Sequence, residues 1–180
     1  MAVYEFDISG LRENIEKLNC GDKVYLSGII YTARDAAHSR IMKLLEEGQT
    51  LPFSPDGAVI YYAGPTPTRD DGQIGSFGPT TSSRMDIFTP VLLQNGLMAT
   101  IGKGDRSKEV IDAIKDNKAV YFCAGGGMGA LISKCIRNVE VVAFPELGCE
   151  SVKELIVEGM PLITAIDCRG NSIFDRHKGE

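Results

Sequence analysis

The sequence predicts an α/β domain, and three observations support this prediction. Apolar runs typical of strands alternate with runs of helical periodicity along most of the chain. The length of 180 residues is enough for one domain with a hydrophobic core, and we expect a single domain over residues 1–180. The composition, 43% hydrophobic and 24% charged, is that of an ordinary globular protein, and no repeat or linker divides the chain.

The first part of the chain predicts three strands and two helices. We expect strands over residues 3–8, 24–31 and 59–63, a helix over residues 11–18, and a second helix that ends near residue 47. Gly21 and Gly48 follow these helices, as glycine often does after the last helical turn. Thr32 and Asp35 have the spacing of a capping pair, which predicts that the second helix begins there.

A long loop over residues 64–81 comes next, and loops of this length in compact domains usually have a function. It leads into the run Gly-Pro-Thr-Thr-Ser-Ser-Arg-Met-Asp at residues 78–86. Ser83 and Asp86 again have capping spacing and predict a helix start, with Arg84 in the first turn. Hydroxyls, a guanidinium and unpaired backbone N–H groups together favour an anion site for phosphate or carboxylate. The alternative is an ordinary capped helix behind a turn.

The second half of the chain continues the alternation. We expect strands over residues 97–101, 119–123, 139–144 and 162–167, and helices over residues 107–117 and 125–137. The pattern over residues 151–157 does not decide between helix and strand.

The segment around Arg34 lies at a predicted strand end, where ligands gather in α/β sheets. Arg34 and His38 are four residues apart and can project from one face of a helix. Asp35 is placed to orient the His38 ring. The alternative is a surface Arg–Asp pair beside a histidine whose hydrogen bonds are satisfied.

Lys103 lies between two glycines at another predicted strand end, with little steric cover. If Arg34, Arg84 and Lys103 converge, they form a site for a small dianion such as a dicarboxylate. The alternative for Lys103 is a tight turn with a solvated ammonium group.

A glycine-rich segment over residues 125–130 follows a predicted strand and fits the G-x-G-x-x-G/A spacing of dinucleotide-binding proteins. Glu146 lies about twenty residues further on, where a ribose-binding acid would stand. The segment comes late in the chain, with one β-α-β unit after it. We therefore favour a close strand–helix approach that needs glycine, and keep a nucleotide-binding domain as the competing function.

Charge and cysteine content exclude several classes of protein. The net charge of −5 argues against general nucleic-acid or membrane binding, and we expect neither partner. No apolar run reaches the length of a membrane span, and residues 1–10 do not form a secretory signal. The five cysteines are widely spaced and odd in number, which predicts reduced thiols in a cytoplasmic protein and argues against a metal site.

Four ordered motifs resemble the β subunit of class I fumarate hydratases and of the related L(+)-tartrate dehydratases, which is also the C-terminal half of single-chain class I fumarases. They are Leu26-Ser27-Gly28 with Arg34-Asp35-Ala36-Ala37-His38, Tyr62-Ala63-Gly64-Pro65, residues 78–86, and Ile101-Gly102-Lys103-Gly104. Two later runs, Phe144-Pro145-Glu146-Leu147-Gly148 and Asp167-Cys168-Arg169-Gly170, are also similar, and the resemblance covers nearly the whole chain.

The resemblance implies a swivelling β/β/α domain and the reversible addition of water to a dicarboxylate double bond, with fumarate giving L-malate. It also implies an oxygen-sensitive [4Fe-4S] cluster with one open iron that acts as a Lewis acid. The cluster's three cysteines belong to the partner, the α subunit, so we expect this polypeptide to be inactive alone. The family further implies an αβ pair that dimerises.

Carried over by motif, Arg34, Arg84 and Lys103 hold the substrate carboxylates. Thr80 is the base that moves the proton next to the hydroxyl-bearing carbon, a role that requires nearby cations because a threonine hydroxyl is a very weak base. His38 remains a candidate for proton transfer or for positioning Arg34. The sequence does not choose between Thr80 and His38, nor between fumarate, mesaconate and tartrate as substrate.

Overall fold

The structure is a computed structural model that describes residues 1–66, 75–125 and 127–177. The middle of the predicted loop over residues 64–81 and one glycine of the predicted dinucleotide motif, Gly126, lie outside the described residues. Seven strands and five α-helices occur within these ranges: β1 Val3–Asp7, α1 Ile8–Asn14, β2 Lys23–Thr32, α2 Asp35–Glu46, β3 Val59–Tyr61, α3 Thr89–Gln94, β4 Ala99–Gly102, α4 Lys108–Asp116, β5 Val120–Cys123, α5 Gly129–Cys135, β6 Ile136–Ala143 and β7 Val152–Ile166. Four short 3-10 helices accompany them: Ile15–Lys17, Ser82–Met85, Pro145–Glu150 and Ile173–His177.

All seven strands belong to one sheet in the order β1-β2-β3-β4-β5-β7-β6. β1 to β5 run parallel to their neighbours, whereas β7 is antiparallel to β2, β5 and β6. Because β7 pairs with both β5 and β2, strands β2, β3, β4, β5 and β7 close into a ring. The predicted α/β class is therefore confirmed as a mixture of helices and strands around a closed sheet.

Two hydrophobic cores cover the two faces of the sheet. Alternate residues of a strand enter different cores, so Val59 and Tyr61 lie in the first core and Ile60 and Tyr62 in the second. The first core contains residues of the five ring strands and of α1, and the second contains the apolar faces of α2, α3 and α4. The helix predicted over residues 107–117 is α4, and Ser107 caps it, since its hydroxyl accepts a hydrogen bond from the Val110 N–H.

Two predictions for the second half of the chain differ from the structure. The two segments over residues 151–157 and 162–167 form one strand of 15 residues, β7, whose register shift opposite β2 absorbs the intervening Gly159. The helix predicted over residues 125–137 is shorter, Gly129–Cys135, because Ile136 already pairs with Val157 of β7.

No helix in the described ranges is long and apolar enough to cross a membrane.

Candidate functional site

The candidate site lies at the edge where the parallel strands β2 to β5 end. Arg34 follows β2, Gly64 follows β3, Lys103 follows β4 and Gly125 follows β5. The carboxyl ends of parallel strands meet at one edge of a sheet, so these four separate sequence segments share this edge.

Residues 79–82 run along this edge between the ends of β3 and β4. Ala63 bridges to Pro79 and Thr81 bridges to Lys103, and the Thr80 N–H donates to the Tyr62 carbonyl at 2.7 Å. The segment carrying Thr80 is thereby held against the two strand ends.

Ser82 and Lys103 are joined by two further hydrogen bonds. The Ser82 N–H donates to the Lys103 carbonyl at 3.0 Å, and the Lys103 N–H donates to Ser82 Oγ at 3.1 Å. This approach requires Gly102, because a Cβ at that position would lie 1.9 Å from Ser82 Oγ. The structure therefore sets the backbones of Thr81 and Ser82, which follow Thr80, beside Lys103, and the Lys103 side chain is exposed.

Arg84 is bound by Asp35. Its Nε donates to Asp35 Oδ1 at 3.1 Å and its Nη2 donates to Oδ2, a two-point contact between residues 49 positions apart. The Arg84 hydrogen bond holds the pKa of the Asp35 carboxyl below its usual range. The predicted capping pair of Thr32 and Asp35 is therefore wrong: the N-cap of α2 is Arg34, no side chain caps the helix, and Thr32 belongs to β2.

Arg34 lies beside Glu150, with Nε 3.4 Å from Glu150 Oε1. The Nε atom is buried and forms no hydrogen bond with the described residues, so this pair is an ion pair without hydrogen-bond geometry. The Arg34 side chain packs over Gly64, where a Cβ would lie 2.8 Å from Nη1.

Electrostatic coupling joins the two arginines. Asp35 raises the pKa of Arg84, chiefly by its hydrogen bond, and the Glu150 charge acts in the same direction. Arg34 likewise contributes to the lowered pKa of Asp35 after the larger effect of Arg84. Arg34, Arg84, Asp35 and Glu150 thus form one cluster of alternating charges, which we call the arginine–carboxylate cluster.

His38 lies beneath this cluster and is fully buried. Its Nδ1 is 2.8 Å from the Arg34 carbonyl oxygen, so Nδ1 carries the proton and donates. The ring stacks on Phe88 and meets Tyr62 edge-on, and Nε2 has no hydrogen-bond partner in the described part of the chain. Burial lowers the pKa of His38 to about 4, so the ring is neutral at physiological pH. Asp35 does not bond the ring, contrary to its predicted role.

A buried arginine with no sequence signal, Arg106, holds Asp86, which lies two residues after Arg84. The Arg106 side chain has no exposed surface, and its Nε donates to Asp86 Oδ1 at 2.6 Å. The second Asp86 oxygen accepts from the Ser107 N–H at 2.6 Å. The predicted Ser83–Asp86 capping pair is therefore wrong, because Asp86 binds these two groups instead and the 3-10 helix Ser82–Met85 has no side-chain cap.

Arg106 also joins the aromatic residues below the site. Its guanidinium lies over the Tyr62 and Tyr121 rings, with centroid distances of 5.3 and 4.8 Å. The Tyr121 hydroxyl in turn lies 2.9 Å from Ser82 Oγ. No motif in the sequence signals this role, since Arg106 stands in a polar run and its main partner is 20 residues away.

One glycine of the glycine-rich segment, Gly129, is buried against a loop, whereas Gly125 and Gly127 are exposed. A Cβ at Gly129, the first residue of α5, would lie 3.0 Å from the Gly78 nitrogen and 2.4 Å from Ser76 Oγ. Glu146, the expected ribose-binding acid, instead pairs with Arg40 at 3.2 Å. These contacts favour a packing role for Gly129, against a loop rather than a strand, and do not support Glu146 as a ribose-binding acid.

Metal ligands do not cluster in the described ranges. No group of three or more His, Cys, Asp or Glu side chains there could hold a metal ion, and the five cysteines are free thiols. An iron–sulfur cluster therefore does not fit the described residues of this chain, since such clusters require several convergent thiolates.

Comparison with known proteins shows relatives over nearly the full chain. A family model described as Fumarase C-terminus matches residues 3–177. Fumarate hydratase 2 of Leishmania major is 37% identical over 171 residues, which cover 94% of this chain and 30% of that protein. The aerobic class I fumarate hydratase of Escherichia coli K12 is 36% identical over 156 residues, which cover 86% of this chain and 28% of that protein.

A shorter relative matches end to end. A Methanocaldococcus jannaschii protein, provisionally named L(+)-tartrate dehydratase subunit beta, is 41% identical over 170 residues, which cover 91% of this chain and 87% of that protein. The chain thus spans less than a third of the fumarate hydratases it matches but most of this subunit. With the family match over residues 3–177, this identity shows that the chain belongs to the Fumarase C-terminus family.

Proposed function

We propose that this chain is the β subunit of an iron–sulfur hydro-lyase that reversibly hydrates a small dicarboxylate, with fumarate to L-malate as the first reaction to test. One observation supports this most: Arg34 and Arg84 lie in one charge cluster at the strand-end edge that also carries Lys103. Guanidinium groups bind carboxylates through paired N–H donors, and two of them at one edge suit a substrate with two carboxylates. The names of the relatives point to the same reaction class.

In this proposal Arg34, Arg84 and Lys103 bind the substrate in different ways. Arg34 and Arg84 orient the carboxylates, and Lys103 adds a compact charge from the end of β4. Orientation matters because the proton must leave or reach one defined carbon of a nearly symmetric molecule.

Thr80 is the residue that we propose to carry that proton. In the dehydration direction its oxygen accepts the proton from the carbon next to the hydroxyl-bearing one, and in hydration its hydroxyl returns it. The neighbouring Lys103 and Arg84 would stabilise the alkoxide that this role requires. The buried ring of His38, which hydrogen-bonds the Arg34 carbonyl, supports a positioning role for His38 rather than proton transfer.

In this proposal the [4Fe-4S] cluster of the enzyme is held by an α subunit and not by this chain. The free cysteines of this chain support that division and also support a cytoplasmic location, where thiols stay reduced. We further propose that residues 1–180 act as one swivelling β/β/α unit, and that the αβ pair dimerises.

The test is anaerobic co-expression with an α subunit that carries the cluster cysteines, followed by assays with fumarate, mesaconate and tartrate. We expect turnover only in the complex. Arg84→Ala should lower kcat/KM on the order of a hundredfold while the complex stays assembled, because ionic hydrogen bonds to substrate are lost.

Arg12→Ala is the matched control, since Arg12 of α1 also pairs with one aspartate, Asp56, outside the arginine–carboxylate cluster. It should leave kcat/KM unchanged. Unchanged turnover in Arg84→Ala would remove Arg84 from the site, and a wild-type complex without activity on any of the three acids would reject the proposed function.

A further inference from the structure

Each arginine of the cluster is held by a carboxylate on its Nε side. Asp35 takes the Nε and Nη2 hydrogens of Arg84, and Glu150 lies 3.4 Å from Nε of Arg34. Within the described residues, Nη1 of Arg84 and both Nη atoms of Arg34 form no hydrogen bond. A guanidinium has five N–H donors, so the end remote from Nε stays available to a ligand.

Both carboxylates stand on anchored backbone. Asp35 is the first residue of α2, and the Arg34 carbonyl just before it accepts from the His38 N–H at 2.8 Å and from the buried His38 ring. Glu150 ends the 3-10 helix Pro145–Glu150. In this helix the carbonyl groups of Gly148 and Cys149 accept hydrogen bonds from the buried ammonium of Lys153. Fixed carboxylates of this kind can restrain a long, flexible side chain.

From this geometry we propose that Asp35 and Glu150 are positioning residues, which hold Arg84 and Arg34 so that their free N–H ends face the two carboxylates of the substrate. This inference rests on the proposed function. Restraining the arginines in advance lowers the conformational entropy that binding would otherwise cost.

Simple electrostatics predicts the opposite effect. A negative charge near a dianion repels it, so neutralising Asp35 or Glu150 would tighten substrate binding if their charge acted only through space. If they act by positioning, neutralising either one weakens binding. The sign of the change in KM therefore separates the two roles.

The experiment uses the active αβ complex with the dicarboxylate that it turns over. Asp35→Asn should raise KM roughly tenfold, about 1.4 kcal/mol, with a smaller change in kcat. The same substitution in an Arg84→Ala background should have no further effect, because a residue that acts through Arg84 cannot act without it. Glu150→Gln should behave likewise with and without Arg34→Ala.

Glu146→Gln is the matched control, since Glu146 shares the 3-10 helix of Glu150 but pairs with Arg40. It should leave KM unchanged. A fall in KM for Asp35→Asn, or an effect of equal size in the Arg84→Ala background, would overturn the proposal while the proposed function stands. A wild-type complex that neither binds nor converts any dicarboxylate would overturn both.

Discussion

Gly64 has no Cβ, and this leaves the space in which the Arg34 side chain lies at the candidate site. The Arg34 side chain crosses Gly64 so closely that a Cβ there would lie 2.8 Å from Nη1 and 3.2 Å from Cδ. Contacts below 3.0 Å force a neighbour to move, and here the neighbour is the end of a flexible side chain. The glycine therefore governs the position of Arg34 more than it governs the fold.

We predict that Gly64→Ala displaces Arg34 and raises KM for the dicarboxylate several-fold, while the free energy of unfolding changes by less than about 1 kcal/mol. Steady-state kinetics of the complex and urea unfolding of the chain measure the two quantities. Gly10→Ala serves as the control, because a Cβ there meets only Asn14 Nδ2, at 3.8 Å. A variant with normal KM would show that Arg34 tolerates the displacement.

At the scale of elements, the 3-10 helix Pro145–Glu150 depends on one buried lysine. Lys153 Nζ donates to the carbonyl groups of Gly148, Cys149 and Ser151 at 3.1, 3.3 and 3.2 Å, and to the Ser151 hydroxyl at 2.7 Å. This segment supplies Glu150 to the cluster, so Lys153 of β7 connects the sheet to the site.

Lys153→Met should loosen this segment, because the carbonyl groups lose their donor. We expect the free energy of local opening across residues 145–150 to fall by about 1–3 kcal/mol, seen as faster amide hydrogen exchange there than in β4 or β5. Lys43→Met, at a largely exposed lysine of α2, is the control and should leave exchange unchanged. Equal exchange rates in both variants would mean that the segment is held by other contacts.

At the scale of the whole molecule, His38 couples stability to pH. Burial lowers its pKa to about 4, while the hydrogen bond to the Arg34 carbonyl and the Asp35 charge act in the opposite direction and the Arg106 charge adds to the lowering. The unfolded chain has the ordinary pKa near 6.5 and binds the proton more tightly than the folded chain. Stability is therefore retained above about pH 6.5 and decreases as the pH falls from there towards 4.

We predict that lowering the pH from 7 to 5 costs about 2 kcal/mol of unfolding free energy through His38. Urea unfolding at both pH values should show this loss in the wild-type chain. The loss should be absent in His38→Asn, whose amide can still donate to the Arg34 carbonyl. An identical pH dependence in the two proteins would place the protonation elsewhere.

Local signals along the chain are enough to predict the α/β class, the family resemblance and most elements. Alternating apolar residues predicted the strands, and Ser107 marked the start of α4. Local reasoning was wrong where a polar residue binds a remote partner. The carboxylates of Asp35 and Asp86 were expected to cap helices but bind Arg84 and Arg106, which are 49 and 20 residues away.

How the strand ends meet and which charges face each other depend on contacts between distant parts of the folded chain. β7 closes the ring by pairing with β2 and β5, and no local periodicity encodes that register. The pairing of β2 with β7 also brings Arg34 near Glu150, and residues 79–82 lie between the ends of β3 and β4. Ion pairs of this kind depend on distances in the folded chain rather than on spacing along it, so the arginine–carboxylate cluster is a property of the fold.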